Sequence, residues 1–373
     1  MTFDAVVVGG GPAGSTCARQ LRRAGLTVAV LDRARFPRDK VCAGWITPGV
    51  VDLLALDVEE YRRQRVFQPI TAFRTSVMGA REIETRYAEP ISYGIRRYEF
   101  DHYLLDRCGA HVSCGRPVSS LRRTGDGWRV NETISTPLLI GAGGHFCPVA
   151  RWLNPTRPTA PLVATLELET RLRPDQIDDC RVRPDSPVLF FCRDLKGYGW
   201  CFRKQDFLNV GLGRHDPRHL PRQTAAFVDF LKAEGLVPRD LPRPSRGHAY
   251  LLNTRGARRT IADGVVLIGD AAGLADPRSG EGIRQAIESG LLAARAILAA
   301  AGRYEAERLQ PYARGLRPSG AGPTSRLVSR AVPARATQRV GGLLMRSPWF
   351  TRHVLLDRWF LDVRHPSVPE NLS

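Results

Sequence analysis

A glycine-rich turn near the N-terminus constrains the fold of this 373-residue chain more than any other feature. A short apolar run leads directly into Gly9-x-Gly11-x-x-Gly14, and a helix-like segment follows the turn. A second apolar run then ends at Asp32. This order of strand, turn, helix, strand and acidic residue is typical of a dinucleotide-binding unit. The alternative is a glycine-rich turn in another kind of α/β domain.

The residues of the turn have separate physical roles. Gly9 permits the tight turn, Gly11 lets the backbone approach a pyrophosphate, and Gly14 lets the helix pack closely on the strand. The free N–H groups at the start of the helix and the positive end of its dipole would face the phosphates, and Asp32 would accept ribose hydroxyls. The cofactor-binding residues predicted in this unit are Gly9, Gly11, Pro12, Ala13, Gly14, Asp32 and Arg33.

Composition excludes several classes of protein. No apolar stretch approaches the roughly 18 residues that a membrane span needs. The eight cysteines form no C-x-x-C pair, which argues against a zinc site or a disulfide framework and indicates reduced thiols. The sequence therefore predicts a cytoplasmic protein without a metal site.

The chain is strongly basic, with 55 Lys and Arg against 37 Asp and Glu and a net charge of +18. The arginines are spread along the sequence and form no basic run, so we expect no nucleic-acid partner. Two explanations stay open. One is an arginine-rich composition on a solvated surface, and the other is attraction to an anionic substrate or to the inner face of a membrane.

A second signal lies in residues 267–290, where an apolar strand ends at Asp270 and a glycine-bearing loop opens another helix. The N-terminus of that helix would present Gly280, Gly282 and Ile283, with backbone donors and a positive dipole end. Such donors stabilise the negative charge that a reduced isoalloxazine ring develops at N1 and the C2 carbonyl. A purely structural junction between loop and helix is the alternative.

Together these segments resemble FAD-dependent oxidoreductases of the geranylgeranyl reductase and aromatic hydroxylase (group A flavoprotein monooxygenase) type, over about residues 3–310. The resemblance implies FAD as the cofactor. In the middle motif of the family, Gly143 stands where an Asp is usual and Cys147 where a Ser is usual. The Asp-Gly pair of the family helps with both flavin and nicotinamide, so the electron donor stays open between NADPH and a reduced flavin or ferredoxin.

Two further runs resemble the reductase branch of that superfamily. Residues 37–44 match its P-R-x-K-x-C-x-G loop, which lies over the flavin face and contributes Lys40, Cys42 and Ala43 here. Residues 198–204 match its Y-x-W-x-F-P-K motif, with an arginine in place of the proline. Because alternate residues of a strand share a face, the aromatic residues of this run would form one wall of a pocket. A plain core strand is the alternative.

The predicted catalytic residues are Cys42, Tyr198, Trp200 and Arg284. Cys42 is a candidate acid or redox thiol, or else a small residue lining the cofactor. Arg284 stands where the reductases usually have an aromatic residue, which favours a polar or anionic substrate. Arg97 resembles the arginine that the family sets near FAD, unless it makes a surface salt bridge. His145 and His248 are equally compatible with catalytic and ordinary polar roles.

The predicted fold class is α/β, with a discontinuous Rossmann-type FAD-binding domain, an α+β substrate domain on an antiparallel sheet, and a helical C-terminal region. The predicted boundaries are 1–60, 94–155 and 255–310 for the FAD-binding domain, 61–93 and 156–254 for the substrate domain, and 311–373 for the helical region.

The sequence predicts an enzyme that reduces a C=C bond of a prenyl or similarly hydrophobic substrate. The first alternative is a flavin-dependent monooxygenase that hydroxylates an aromatic, carrier-bound or protein-bound substrate. The second is a flavoprotein that serves as a redox partner or maturation factor for another protein, with the basic C-terminal region as its docking surface.

Overall fold

The structure, a computed structural model, leaves short internal segments and much of the C-terminal region outside its description. The described residues are 1–125, 127–156, 162–252, 258–276, 279–316 and 341–361. Most of the C-terminal region that the sequence predicts to be helical therefore lies outside them.

The strands and helices are numbered along the chain. The strands are β1 (Ala5–Val8), β2 (Val28–Asp32), β3 (Trp45–Ile46), β4 (Phe67–Ile70), β5 (Ala72–Val77), β6 (Ile83–Arg86), β7 (Ser92–Ile95), β8 (His111–Cys114), β9 (Leu121–Thr124), β10 (Gly127–Val130), β11 (Ile134–Thr136), β12 (Leu138–Gly141), β13 (Leu162–Arg171), β14 (Val188–Phe191), β15 (Gly197–Lys204), β16 (Phe207–Arg214), β17 (Arg246–Leu251), β18 (Ile261–Ala262) and β19 (Val265–Leu267). The α-helices are α1 (Pro12–Arg23), α2 (Pro48–Leu53), α3 (Val58–Arg62), α4 (Arg97–Asp106), α5 (Pro148–Leu153), α6 (Pro174–Asp179), α7 (Leu220–Ala233), α8 (Ile283–Ala299), α9 (Ala306–Gly315) and α10 (Pro348–Phe350).

A six-stranded sheet with the order β18-β19-β12-β1-β2-β8 carries the glycine-rich turn. Every pair in it is parallel except β18 with β19. The strands β1, β12 and β19 are buried along their whole length, as expected of parallel strands covered on both faces. Ala5 and Val7 pack in the hydrophobic cluster that includes α1 and α8, whereas Val6 and Val8 pack with Trp128 on the opposite face.

Helices α1 and α8 lie together on one face of this sheet. They approach closely at Gly290, where a Cβ atom would lie only 2.6 Å from the carbonyl oxygen of Ala13. Small residues at this crossing allow near contact of the two backbones. The two N-termini consequently begin at the same edge of the sheet, beyond the carboxyl ends of β1 and β19.

A seven-stranded sheet with the order β17-β13-β16-β15-β14-β5-β6 forms the second layer, and it is antiparallel apart from the β14–β5 pair. One face of this sheet packs on α7, where Cys201 and Val210 are buried with Phe227. Gly199 allows this contact, because a Cβ there would lie 2.5 Å from the Phe227 ring. Two three-stranded sheets, β11-β10-β9 and β3-β7-β4, complete the strand pairing.

The described part of the C-terminal region packs on the other face of the seven-stranded sheet. Residues Thr351–Phe360 form a π-helix, and its Leu355, Leu356 and Phe360 are buried against the sheet. The Tyr87 hydroxyl donates a hydrogen bond to Asp357 at 2.7 Å and anchors this helix. Among the residues that the structure describes, no helix has the length and apolar character needed to cross a bilayer.

The predicted mixture of a parallel α/β sheet and a separate antiparallel sheet is observed. The helix that the sequence predicts after the glycine-bearing loop is α8, which begins at Ile283. The predicted domain boundaries stay a proposal.

Candidate functional site

A cavity of about 1170 Å³ lies between the two large sheets, and both predicted helix starts line it. At one end the wall consists of the turn before α1. Gly9 adopts a φ of +118°, and a Cβ there would lie 2.4 Å from the Ala142 carbonyl oxygen. A Cβ at Gly14 would lie 1.9 Å from the Gly9 carbonyl oxygen, so Gly14 supports the turn without lining the cavity.

Gly11 has an open face toward the cavity, since the nearest atom to a Cβ there is the Arg38 guanidinium nitrogen at 3.6 Å. Asp32 also lines the cavity, and two backbone amides hold its carboxylate in place. One of its oxygens accepts from the Gly10 amide at 2.8 Å and the other from the Ala34 amide at 2.8 Å. The carboxylate is therefore fixed in orientation, and each oxygen keeps a lone pair for a hydroxyl donor.

The second helix start, at α8, lies along the same cavity through Gly280, Gly282 and Ile283. Gly280 adopts a φ of +72°, and a Cβ there would lie 2.4 Å from the Tyr250 hydroxyl oxygen. The Ser279 carbonyl oxygen accepts a hydrogen bond from Tyr198 at 2.6 Å. The loop before α8 is thus held by side chains of the antiparallel sheet.

Arg284 differs from the prediction that it faces the substrate. It is buried, and its Nε donates to the Glu288 carboxylate at 2.8 Å, one turn further along α8. Helical periodicity turns Ile283 and Ala286 toward the cavity and Arg284 away from it. Arg284 is therefore not among the residues that line the site.

The loop between β2 and β3 brings Lys40, Cys42 and Ala43 to the cavity. The Lys40 ammonium nitrogen lies 2.6 Å from Nε2 of His248, which in turn lies 3.9 Å from the Asp270 carboxylate. Burial lowers the pKa of Lys40 to about 8, although the charge of Asp270 opposes the change. Burial also lowers the pKa of His248, so this histidine is neutral at physiological pH.

Arg97, the first residue of α4, is a buried cation beside this loop. Its guanidinium binds Asp101 through two hydrogen bonds of 2.6 and 2.8 Å, and Arg38 binds the same carboxylate at 3.0 Å. Burial disfavours its charge, but Asp101 and the Cys42 thiol beside it outweigh that cost and raise the pKa of Arg97. The Cys42 sulfur therefore lies next to a permanent positive charge.

The far end of the cavity is an aromatic chamber. Tyr198 and Trp200 from β15 line it together with Trp45 from β3 and Phe360 from the C-terminal π-helix. The ring centroids of Tyr198 and Phe360 lie 5.2 Å apart. The Tyr198 hydroxyl is engaged by the Ser279 carbonyl, and Trp200 donates its Nε1–H to Asn209 at 2.7 Å. Their rings consequently face the chamber as apolar walls.

The structure brings nearly all the predicted site residues to one cavity. Those that line it are Gly9, Gly11, Pro12, Ala13, Asp32, Arg33, Lys40, Cys42, Ala43, Arg97, Gly143, Tyr198, Trp200, Asp270, Gly280, Gly282 and Ile283. Sequence reasoning missed Phe360, although the R-W-F run around it is an aromatic cluster in a basic segment. It also left His248 undecided, and the short distance from Lys40 places this histidine in the site.

The residues present fit an extended dinucleotide. The open face of Gly11 and the two helix starts supply backbone donors at separate points along one cavity, where a phosphate and a flavin ring each need them. The fixed carboxylate of Asp32 and the Asp270 carboxylate, which also lines the cavity, suit sugar-type hydroxyls. A pyrophosphate near Gly11 and an isoalloxazine ring near Gly282 would use the backbone donors of both helix starts.

Comparisons with known proteins agree with this geometry. The profile of the FAD binding domain family matches residues 2–322. Digeranylgeranylglycerophospholipid reductase 3 of Methanosphaera stadtmanae is 29% identical, over 83% of this chain and 81% of that protein. The menaquinone reductase of Mycolicibacterium smegmatis is 32% identical, over 78% of this chain and 75% of that protein.

A solved structure shares the fold. The geranylgeranyl bacteriochlorophyll reductase-like protein of Thermoplasma acidophilum superposes with a TM-score of 0.70 at 21% identity, covering 92% of this chain and 87% of that one. This similarity confirms the predicted α/β fold class. The family match confirms FAD as the cofactor.

Proposed function

As a member of the FAD binding domain family this chain is an FAD-dependent oxidoreductase, and we propose that it reduces a carbon–carbon double bond of a prenyl or similarly hydrophobic substrate. The observation that carries the proposal is the aromatic chamber, which is continuous with the part of the cavity that fits the flavin. A chamber walled by Trp45, Trp200 and Phe360 favours an apolar chain over a charged one. The names of the two relatives support the same substrate class.

The residues divide into those that would hold FAD and those that would act on the substrate. Gly11 and Asp32 would hold the pyrophosphate and ribose, and Asp270 and Gly282 would hold the flavin end. Reduced FAD, when bound, is the source of the hydride that such a reduction requires. Cys42 would supply the proton from its sulfur, which lines the cavity beside the Arg97 guanidinium.

The experiment uses the FAD-loaded protein, reduced with dithionite without oxygen and then mixed with geranylgeranyl diphosphate or a menaquinone. We expect the oxidised flavin spectrum to return and the product to gain two hydrogens per reduced bond. Cys42→Ala should slow this return, whereas the fold and FAD affinity should stay unchanged. Cys114→Ala, the other partly exposed cysteine, serves as the matched control.

Oxygen distinguishes reduction from hydroxylation. If the reduced protein is unreactive toward the prenyl substrate but inserts an oxygen atom into an aromatic one when air is admitted, the proposal is wrong. The monooxygenase alternative then holds.

We propose a reduced flavin or a ferredoxin as the electron donor in place of NADPH. Gly143 stands at the position where related enzymes have an aspartate, and it lines the cavity without a side chain to hold a nicotinamide. NADPH should therefore fail to bleach the bound flavin at a useful rate, whereas reduced ferredoxin should bleach it within seconds. Rapid bleaching of the bound flavin by NADPH would contradict the proposed electron donor.

We also propose that the cavity opens toward an anionic lipid surface. Leu344 lines the cavity and is 43% exposed, and nearby Leu343 and Trp349 are 65% and 66% exposed. Arg346, which is also exposed, lies between Leu344 and Trp349 in the sequence, so a cationic side chain accompanies the exposed apolar ones. Vesicles containing phosphatidylglycerol should bind the protein, and changing Leu343 and Trp349 to Ser should weaken that binding. Val112→Ser, at an exposed position on β8, is the control and should leave vesicle binding unchanged.

A further inference from the structure

A buried asparagine on β16 lies beneath the loop that carries Cys42. Asn209 is fully buried, and in the sheet it is paired with Phe202 of β15 on one side and with Glu169 of β13 on the other. Side chains that are paired in register point to the same face of a sheet, so these three lie in one row. Glu167, on the same face of β13, is also buried, so this part of the face is shielded from water.

The hydrogen-bond partners of Asn209 come from three separate segments. Its Oδ1 accepts from the indole Nε1–H of Trp200 at 2.7 Å. Its Nδ2 donates to the Cys42 carbonyl oxygen at 3.2 Å and to the Glu169 carboxylate at 3.3 Å. An indole N–H can only donate and a backbone carbonyl can only accept, so these partners fix the orientation of the amide. Aspartate has the same shape but no donor, and leucine has neither a donor nor an acceptor.

The Trp200 ring is held by the backbone of β16 as well as by the Asn209 amide. A Cβ at Gly211 would lie 2.2 Å from a carbon of the ring, so a glycine at this position admits the indole. The ring is buried and lines the aromatic chamber. Because its carbon edge and its N–H are both held, the ring has one position, and the Asn209 amide links that position to the loop.

The loop segment from Cys42 to Gly44 is attached to its surroundings at both ends. Asn209 holds the Cys42 carbonyl, and the Gly44 carbonyl oxygen accepts from the Ile95 amide at 2.8 Å. Within the segment, the Gly44 amide donates to the Cys42 sulfur at 3.4 Å. The carbonyl and the thiol of Cys42 are thus both constrained, and release of the carbonyl would let the whole residue shift.

A separate ion pair lies against the other end of this segment. Lys204 donates to Glu169 at 2.7 Å and to the Ile95 carbonyl oxygen at 2.9 Å. A Cβ at Gly44 would lie 2.6 Å from the same ammonium nitrogen, so Lys204 packs directly against the Gly44 end. The Asn209 amide therefore acts on the Cys42 end, which is the end that carries the thiol.

We propose that Asn209 is a positioning residue that holds the Cys42 sulfur at a fixed distance from the Trp200 wall of the chamber. The proposal rests on the proposed function, in which Cys42 protonates a substrate that lies in this chamber. Proton transfer needs donor and acceptor atoms within hydrogen-bond reach, and a displacement of about 1 Å can cost about 100-fold in rate. One amide that binds both the wall and the loop keeps this distance constant.

The variant Asn209→Leu removes the three hydrogen bonds while keeping a similar volume. The FAD-saturated protein is treated with iodoacetamide, and mass spectrometry gives the labelling rate of Cys42 relative to that of Cys114, the other partly exposed cysteine. Loss of the hydrogen bond to the loop should raise this ratio by about fivefold. An unchanged ratio overturns the proposal.

Val210→Ala is the matched control for this variant. Val210 is the next residue of β16 and is buried on the opposite face of the sheet, in the cluster that includes Phe227 of α7. Its truncation removes packing from the sheet without touching the loop, so the labelling ratio should keep its wild-type value. A rise as large as in Asn209→Leu shows that general loosening of the sheet exposes Cys42, and it counts against a specific role of Asn209.

A kinetic cycle with Cys42→Ala tests whether Asn209 acts through the thiol. With reduced FAD-loaded protein and saturating geranylgeranyl diphosphate, Asn209→Leu should slow the return of the oxidised flavin spectrum by about tenfold or more. The Cys42→Ala protein has no thiol to position, so adding Asn209→Leu to it should slow the reaction further by less than about twofold. An equal factor in the two backgrounds shows that Asn209 does not act through Cys42, and the proposal is then wrong.

The two measurements separate this proposal from the proposed function. If the wild-type protein reduces neither geranylgeranyl diphosphate nor a menaquinone, the proposed function is wrong, but the labelling ratio still decides whether Asn209 holds Cys42. Should Asn209→Leu fail to fold, Asn209→Ala replaces it, because the space left beside Trp200 is polar and can admit a water molecule. The same rise of about fivefold in labelling is expected, and its absence again overturns the proposal.

Discussion

At the α1 end of the cavity the wall is backbone, whereas at the other end it consists of aromatic side chains from separate elements. The backbone wall depends on Gly9 and Gly14, whose Cβ atoms would collide with neighbouring carbonyl groups. The chamber depends on rings such as Trp200 and Phe360, which meet only in the folded protein. The backbone end therefore accepts one ligand shape. At the chamber end, substitution of a single side chain can change which ligand is accepted.

This contrast matches the division between cofactor and substrate. A cofactor common to a family is held best by groups that every residue type provides, namely backbone amides at helix starts. A substrate is selected by the shape and polarity of side chains. The two ends should therefore respond differently to mutation.

The largest expected effect is at the backbone end. Gly11→Leu places a bulky side chain in the open space in front of α1 without a backbone collision, since a Cβ at Gly11 lies 3.6 Å from its nearest neighbour. We expect the purified protein to lose its yellow colour and its FAD affinity while its circular dichroism stays native.

Gly11→Ala is the graded control for this change. One methyl group meets only the flexible end of Arg38 in the protein, but it keeps the backbone further from the pyrophosphate, so we expect a loss of FAD affinity smaller than that of Gly11→Leu. A yellow Gly11→Leu protein argues against the pyrophosphate site assigned here.

The next largest effect is expected where the two ends meet. Asp101→Asn removes the charge that balances buried Arg97, and loss of one partner of a buried pair costs about 3–5 kcal/mol of unfolding free energy. Urea denaturation of the apoprotein measures this loss. Glu59→Gln, which breaks an exposed pair with Arg62, should change the stability by less than about 0.5 kcal/mol.

Phe360→Ala tests the chamber end alone. Truncating this buried ring costs about 3 kcal/mol, at the low end for such a change because the site borders an open cavity. The KM for the hydrophobic substrate should rise, whereas the FAD dissociation constant should change by less than about twofold. A large loss of FAD affinity would show that Phe360 itself contributes to cofactor binding.

The two ends also differ in how far the sequence predicts them. The glycine turn and Asp32 are local, since their spacing along the chain sets their geometry, and the fold class and FAD follow from them. Phe360 reaches the chamber only through the packing of the C-terminal π-helix on the antiparallel sheet, where its ring contacts Phe191 and Tyr198. Contacts between such distant segments leave no periodic pattern in the sequence.

Arg284 and Glu167 show the same limit in single residues. The sequence places Arg284 in the first turn of α8, but the direction of its side chain depends on the rotation of that helix against the sheet. Glu167 occupies an alternating strand, where a glutamate ordinarily indicates a solvent face. Its burial becomes visible only when the loop carrying Cys42 covers that face.

The smallest effect is expected from Trp200→Phe, which keeps an aromatic wall but removes the hydrogen bond to Asn209. Loss of that bond costs about 1 kcal/mol and frees the Asn209 amide that holds the Cys42 carbonyl. We therefore expect a small rise in substrate KM and a weakening of FAD binding of about twofold to fivefold, measured by titration. Trp349→Phe, on an exposed ring, should change neither value. If Trp200→Phe raises KM alone, Asn209 does not couple the chamber to the cofactor loop, and the two ends are separate after all.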